Sequence, residues 1–258
     1  MTLLFKYYTF AYVTVLFFLD MDAAVKLLIC SDYDPLSPLT SIDGEINAQF
    51  FDHPNVVKIY AIDKKTEQGL ALVVMEDGGQ TLQNIIDDPQ EKLDKKTCIR
   101  FAEQISSGLE YIHSNGILHL DIKPANVLVN SKKICKISDF GCSVTVKALE
   151  TVSQIKPRGT VAYCAPEIFR GLKPTDRSDV YSFGILLWQL KARKWPYQGV
   201  SKERIIYMVV AQSERPHNFT SFEEEDTYFY LYKECIEASP LSRPTASKVN
   251  IVFKSIDL

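Results

Sequence analysis

Glycine is absent from the start of this 258-residue chain, whose first glycine is Gly44. A phosphate-cradling G-x-G-x-x-G loop needs glycine so that the main chain can come close, and none is recognisable near the N-terminus. The six cysteines (Cys30, Cys98, Cys135, Cys142, Cys164 and Cys235) lack any C-x-x-C spacing. They suggest neither a zinc site nor a disulfide framework, and a reduced intracellular setting is expected. Basic charge is not in excess: 29 Lys and Arg stand against 32 Asp and Glu, net −3, which argues against a nucleic-acid binder relying on a basic surface. The apolar run at 7–19 has thirteen residues, short of the about 20 that a membrane span needs. No internal repeat, low-complexity tract or Gly/Ser linker is found.

What is present is ordinary for a globular protein: 46% hydrophobic and 24% charged residues, in a chain long enough to bury one substantial core. The polar, proline-containing stretch 31–38 reads as a loop, and 87–90 as a second. Between 95 and 114, Ile99, Ala102, Ile105, Leu109 and Ile112 recur at spacings of three and four and predict one apolar helix face. Asn115-Gly116 ends that helix, glycine being suited to the left-handed position past a helix end. Val127–Val129 and Cys135–Ile137 are short apolar runs expected as strands, and 180–190 is apolar enough for a helix buried all round.

Those two short runs bracket the informative part of the chain. His119-Leu120-Asp121-Ile122-Lys123-Pro124-Ala125-Asn126 is followed, thirteen residues after Asn126, by Asp139-Phe140-Gly141. A phosphoryl group in transfer carries negative charge on its equatorial oxygens, so catalysis is mostly positioning plus cations and ordered donors. Asp121 can accept the proton of an attacking hydroxyl, and Lys123 can place a point charge near the moving group. Asn126 and Asp139 offer the hard oxygens that Mg2+ prefers beside substrate phosphates.

From about residue 23 onward the chain resembles a eukaryotic protein kinase domain. Ala24-Val25-Lys26 resembles the strand lysine of the V-A-I-K motif, which pairs the ATP phosphates with a helix glutamate; Glu45, eight residues before His53-Pro54-Asn55, is the glutamate implied. Val73-Val74-Met75-Glu76-Asp77-Gly78-Gly79 is similar to the strand and hinge that hold the adenine, so Met75 and Glu76 are implied nucleotide contacts. Ala165-Pro166-Glu167 resembles the close of an activation segment that begins at Asp139. The run from Asp179 to Gly184 resembles the start of the helix supporting the catalytic loop, and Arg243 resembles the partner of Glu167 in this family.

Thr160, after Gly159, resembles the threonine that packs with Lys123, and both imply Ser/Thr acceptors. Within kinases, His119-Leu120-Asp121, Lys123-Pro124-Ala125-Asn126, Asp139-Phe140-Gly141-Cys142-Ser143 and Met75-Glu76-x-Gly78-Gly79 resemble the Mos group of serine/threonine kinases. That resemblance implies a kinase acting on MAP kinase kinases during oocyte meiosis. The fold it implies is α+β and two-lobed: a small antiparallel sheet with one helix over 1–75, a hinge at 76–80, a mainly helical lobe over 81–258, and ATP in the cleft between.

The N-terminus departs from that pattern. Counting back from Lys26, the loop glycines would fall at Lys6, Tyr8 and Ala11, although Phe10 and Val13 sit where the motif's Phe and Val would be. Three readings stay open. Residues 1–21 are not native kinase sequence, an upstream exon being absent or an intron being read. Alternatively the loop has diverged and the apolar run still supplies the first two strands. In the third, 7–19 is the apolar core of a targeting signal, though no A-x-A site follows cleanly.

Several residues carry plainer expectations. His119 is read as a packed loop histidine, Glu167 and Arg243 as a buried structural ion pair, and Cys142 as a small buried residue. Leu120 stands where most kinases carry Arg; it cannot meet a phosphorylated activation-loop residue, so activity independent of that phosphorylation is expected. The expectation is a cytoplasmic, monomeric, ATP- and Mg2+-dependent kinase with a protein substrate, and neither a nucleic-acid nor a membrane partner. The rivals are a pseudokinase serving as a binding scaffold and a membrane-associated or exported kinase-like protein.

Overall fold

The computed structural model describes residues 4–8, 11–18, 21–29, 41–65, 70–151, 158–216 and 226–256. Runs rich in β-branched and aromatic residues form β1 (Leu4–Tyr8), β2 (Ala11–Phe18), β3 (Met21–Ile29), β4 (Ile59–Lys65) and β5 (Leu70–Glu76). They make one antiparallel sheet in the order β1-β2-β3-β5-β4. The apolar N-terminal run thus supplies two strands without glycine, with Tyr8 opposite Ala11 and Val13 opposite Lys26. The period of two along β3 sends Ala24, Lys26 and Leu28 to one buried face. Helix α1 (Ser41–Ala48) adds Ile42 and Ala48 to the core that Ala24, Leu28 and Val73 share. The predicted loop at 31–38 lies outside the described residues.

Past β5 the chain turns helical. Helix α2 (Leu82–Asp87) follows β6 (Gln80–Thr81), and α3 (Lys95–Ser114) follows α2. Asp87, expected in a loop, instead closes α2. Thr81 Oγ1 accepts the Asn84 N–H at 3.1 Å and the Asp88 N–H donates to Asn84 O at 3.0 Å, so the helix is capped at one end and extended at the other. On α3 the predicted apolar stripe is buried throughout. Asp94 caps it by accepting the Thr97 N–H at 2.8 Å, and Gly116 ends it with φ at 70°.

Strand β7 (Ile117–Leu118) pairs with β10 (Val144–Thr145), while β8 (Val127–Val129) and β9 (Cys135–Ile137) join β6 in a three-stranded sheet. Helices α4 (Val146–Thr151), α5 (Pro166–Phe169), α6 (Asp176–Ala192), α7 (Lys202–Ala211), α8 (Thr227–Cys235) and α9 (Ala246–Lys254) complete the lobe. Every side chain from Ser178 to Leu190 on α6 is buried, as its apolar sequence predicts, with α3, α8 and α9 packed around it. The architecture is the α+β, two-lobed one expected.

Candidate active site

The loop from His119 to Asn126 starts at the end of β7 and is fastened from below by α6. Asp179, fully buried, accepts the His119 N–H on Oδ2 at 2.8 Å and the Leu120 N–H on Oδ1 at 2.7 Å, and its Oδ2 also lies 2.9 Å from His113 Nε2. Burial alone would push this carboxyl up, but the bonds from His113 and His119 hold it below the usual range. The His119 ring is spent inside the fold, with Nε2 3.1 Å from Ser138 O and Nδ1 accepting the Asp121 N–H at 3.3 Å. It is the packed loop histidine expected from the sequence, and it helps to hold Asp121.

The Asp121 carboxylate has four donors around it. Oδ1 accepts the Thr160 N–H and hydroxyl, both at 2.9 Å, while Oδ2 accepts Lys123 Nζ at 2.7 Å and Asn126 Nδ2 at 3.0 Å. Lys123 also reaches Thr160 Oγ1 at 2.7 Å, which is the packing the sequence implied. An ionised carboxylate has about four acceptor positions, so an incoming hydroxyl must displace one of these donors. The turn before Thr160 is close: Gly159 has φ at 86°, and a Cβ there would stand 2.3 Å from Leu120 O. Only glycine fits that combination.

Across the cleft, Lys26 Nζ lies 2.7 Å from Glu45 Oε1 and 2.7 Å from Asp139 Oδ1. Burial would lower the lysine pKa, but the two carboxylates outweigh it and hold the ammonium charged. Glu45 is itself raised by complete burial, with Lys26 pulling down and Asp139 pushing up. The short ion-pair contact and the second carboxylate decide in favour of a charged lysine. Partial burial would push Asp139 up too; Lys26 and the Gly141 N–H hold it below the usual range. Its carboxylate keeps 46% of its surface exposed and so opens to the cleft.

Met75 and Glu76 end β5. Met75 is buried. The Glu76 carboxylate is committed to the Lys58 N–H at 2.9 Å and Lys136 Nζ at 2.8 Å, and the Glu76 N–H itself donates to Lys58 O at 2.9 Å. Gly78 follows, and a Cβ there would stand 2.7 Å from the Leu128 side chain. Glycine lets the linking segment lie against β8.

Comparison with known proteins gives this geometry its context. A family described as protein tyrosine and serine/threonine kinase matches residues 20–253. The chain is 37% identical over 220 residues to the serine/threonine-protein kinase mos of Patiria pectinifera, covering 83% of this chain and 62% of that protein. It is 37% identical over 220 residues to the proto-oncogene serine/threonine-protein kinase mos of Rattus norvegicus, covering 79% of this chain and 65% of that one. For the Mus musculus protein of the same description the figures are 37% over 246 residues, 88% and 71%.

The chain belongs to the protein kinase family.

It spans somewhat under two thirds of the length of the first two of these relatives. In this kinase domain the oxygens suited to Mg2+ are those of Asn126 and Asp139. Asn126 Nδ2 is turned onto Asp121 O at 2.9 Å and Asp121 Oδ2 at 3.0 Å, which leaves its Oδ1 as the free end, and Asp139 offers an open carboxylate. Among the described residues no group of three or more His, Cys, Asp or Glu forms a metal cage. A pair of oxygens that shares the ion with phosphates is the arrangement Mg2+ accepts, so the donor set fits. Among the described residues, no helix is long and apolar enough to cross a membrane.

Some features of the kinase domain were not read from the sequence. Cys142 is half-buried rather than buried, its thiol pushed up by that burial and then by the Asp121 and Asp139 charges. Gly44 brings α1 against the Asp139 turn, where a Cβ would stand 1.9 Å from Phe140 O. Being the first glycine in the chain and next to Glu45, it was the available signal. The short helix α4 places Leu149 on Leu118, Val144 and Leu120; six residues with one apolar face carry too little periodicity to be seen.

Proposed function

We propose that this chain is an ATP-dependent protein serine/threonine kinase of the Mos type, transferring the γ-phosphoryl group to Ser/Thr hydroxyls of a protein, with a MAP kinase kinase as the substrate class. The reading takes the chain as one cytoplasmic kinase domain, monomeric, with 76–80 as hinge. The observation that carries it is Lys26 Nζ at 2.7 Å from both Glu45 and Asp139, a cation held in the cleft by residues from β3, α1 and the Asp139 turn.

In this reading Asp121 orients the acceptor hydroxyl and takes its proton as the hydroxyl oxygen bonds to the γ-phosphorus and the β–γ bridging bond breaks, leaving ADP. Thr160 and Lys123 hold Asp121 and yield a donor position to the incoming hydroxyl. Lys123 then faces the developing charge. Lys26, positioned by Glu45, binds the nucleotide phosphates. Met75 packs against the adenine, and the Glu76 carbonyl accepts a hydrogen bond from its edge. Asn126 and Asp139 would hold Mg2+, which when bound neutralises phosphate charge. The Lys123–Thr160 contact at 2.7 Å supports hydroxyls of Ser or Thr as acceptors.

The test is Asp121→Asn beside wild type, with transfer to a generic Ser/Thr substrate and nucleotide binding measured on the same samples. Removing such a base costs about 10²–10⁴ in rate, and nucleotide binding should survive. Wild-type turnover in the variant would sink the assignment. The pseudokinase reading rests on the missing glycine loop; a wild type that binds nucleotide and transfers nothing would establish it.

A further inference from the structure

A buried polar chain runs from the acceptor-side loop to the helix after the hinge, and the site described above does not use it. The Tyr163 hydroxyl meets Gln189 Oε1 on α6. Gln189 Nε2 lies 3.0 Å from Gln83 Oε1 on α2, and Gln83 Nε2 lies 2.9 Å from both oxygens of Asp87. Gln189 is fully buried and Tyr163 and Gln83 nearly so, whereas Asp87 is exposed.

The direction of each bond follows from the exposed end. An ionised carboxylate only accepts, so Gln83 must turn its NH2 to Asp87 and its oxygen to Gln189. Gln189 must then present its own NH2 to Gln83 and its oxygen to Tyr163, which leaves the phenol as donor. Burial, and then the charges of Asp121 and Asp87, push the Tyr163 phenol up and keep its proton in place. Every link points one way, and no member can flip without leaving a buried polar group unpaired, which is costly.

The upper end of the chain is fixed to the reacting carboxylate. The Tyr163 N–H donates to Thr160 O at 2.9 Å, and Thr160 holds Asp121 Oδ1 through both its N–H and its hydroxyl at 2.9 Å. Tyr163 is pinned a second time where Ser182 Oγ donates to its carbonyl at 2.8 Å. The lower end sits on α2, capped by Thr81 immediately beyond Gly78 and Gly79. An apolar side chain at Gln189 could fill this fully buried position but would leave the Tyr163 hydroxyl and the Gln83 amide without their partner. Two consecutive buried amides make geometric sense as a strut.

We propose that Tyr163, Gln189 and Gln83 form a positioning relay that sets the acceptor-side loop, residues 158–163, against helix α2. As a device of catalysis it rests on the kinase reading; as a mechanical link it does not. Tyr163, Gln189 and Gln83 are positioning residues that act on protein substrate through Thr160, not on ATP.

The experiment compares wild type with Tyr163→Phe, Gln189→Met, Gln83→Met and the Tyr163→Phe/Gln189→Met pair. ATP and a Ser/Thr protein acceptor are varied separately, and amide hydrogen exchange is followed on the same proteins. One lost buried hydrogen bond is commonly worth a factor of about ten. We expect kcat/KM for acceptor to fall about tenfold in each of the first two variants, with KM for ATP unchanged. The double variant should be no worse than either single one, because both remove the same link. Gln83→Met should speed exchange in residues 158–165, which it does not touch. Additive losses, an equal loss toward ATP and acceptor, or unchanged exchange in that loop would overturn the relay. A wild type without transfer, but with the exchange coupling intact, supports the link and overturns the kinase reading instead.

Discussion

The Leu120 N–H donates to Oδ1 of Asp179 at 2.7 Å while Leu120 itself holds φ at 62°. A branched residue in left-handed backbone costs about 1–2 kcal/mol, and the fully buried carboxylate that accepts from it and from His119 over-determines the conformation. The Asp121 position is set by this bond as much as by its own contacts. In Asp179→Asn an amide NH2 must face one of the two loop N–H groups. We expect a loss of about 1.5–3 kcal/mol by urea denaturation, together with faster hydrogen exchange at 119–121. Unchanged stability and exchange would show that the loop holds itself.

Leu120 also faces an apolar patch instead of an ionic one. It packs on Leu118, Val144 and Leu149, and the Leu149 carbonyl accepts Lys173 Nζ at 2.7 Å. Strand β10 and helix α4 are thus held near the His119–Asn126 loop by dispersion and burial, where an arginine would need a phosphate. We expect phosphatase-treated protein to keep its transfer rate within about twofold, and Leu149→Asp to lower the rate of the same preparation. Loss of activity on dephosphorylation would remove this reading.

Glu167 and Arg243 form the buried ion pair that the sequence implied. The guanidinium donates to both carboxylate oxygens, at 2.7 and 2.8 Å, and Ser178 Oγ adds a third bond at 2.8 Å. Burial would push the Glu167 carboxyl up, but Arg243 outweighs it and holds the carboxyl below the ordinary value of 4.5. A depressed folded-state pKa means the charged form is the stabilised one. The contribution is complete above pH 4.5 and drains away as pH falls through the lower folded value. Glu167→Gln should lose about 3–5 kcal/mol at neutral pH by removing the charge from a buried pair. Its Tm should fall less steeply than that of wild type on acidification below pH 4.5. Parallel Tm curves for the two proteins would show that the pair does not titrate with folding.

Much of the site was legible because its residues are close in sequence or sit in strongly patterned elements. Asp121, Lys123 and Asn126 lie within one loop. The strands beside them, Val127–Val129 and Cys135–Ile137, and the helix Lys95–Ser114 formed where the apolar patterns placed them. What pattern could not supply was which polar groups meet across long separations. Nothing near Gln189 or Gln83 marks them in sequence, since a buried glutamine reads like an exposed one until its partners are known. Glu76 shows the same limit from the other side: its position at the end of β5 was foreseen, but the commitment of its carboxylate to Lys58 and Lys136 was not.

The sequence by itself determined the chemistry available to this protein: which carboxylates, amides and ammonium groups it carries, and which of them ride on short loops between rigid apolar runs. That follows because hydrophobic period and local spacing are properties of neighbouring residues. Only the tertiary structure decided that Asp139 joins Lys26 beside Glu45, that Thr160 holds Asp121 through its N–H and its hydroxyl, and that Leu120 is bent over Asp179. Those are contacts between residues far apart in the chain, made by packing side chains into a core, and their distances exist only once that core has closed.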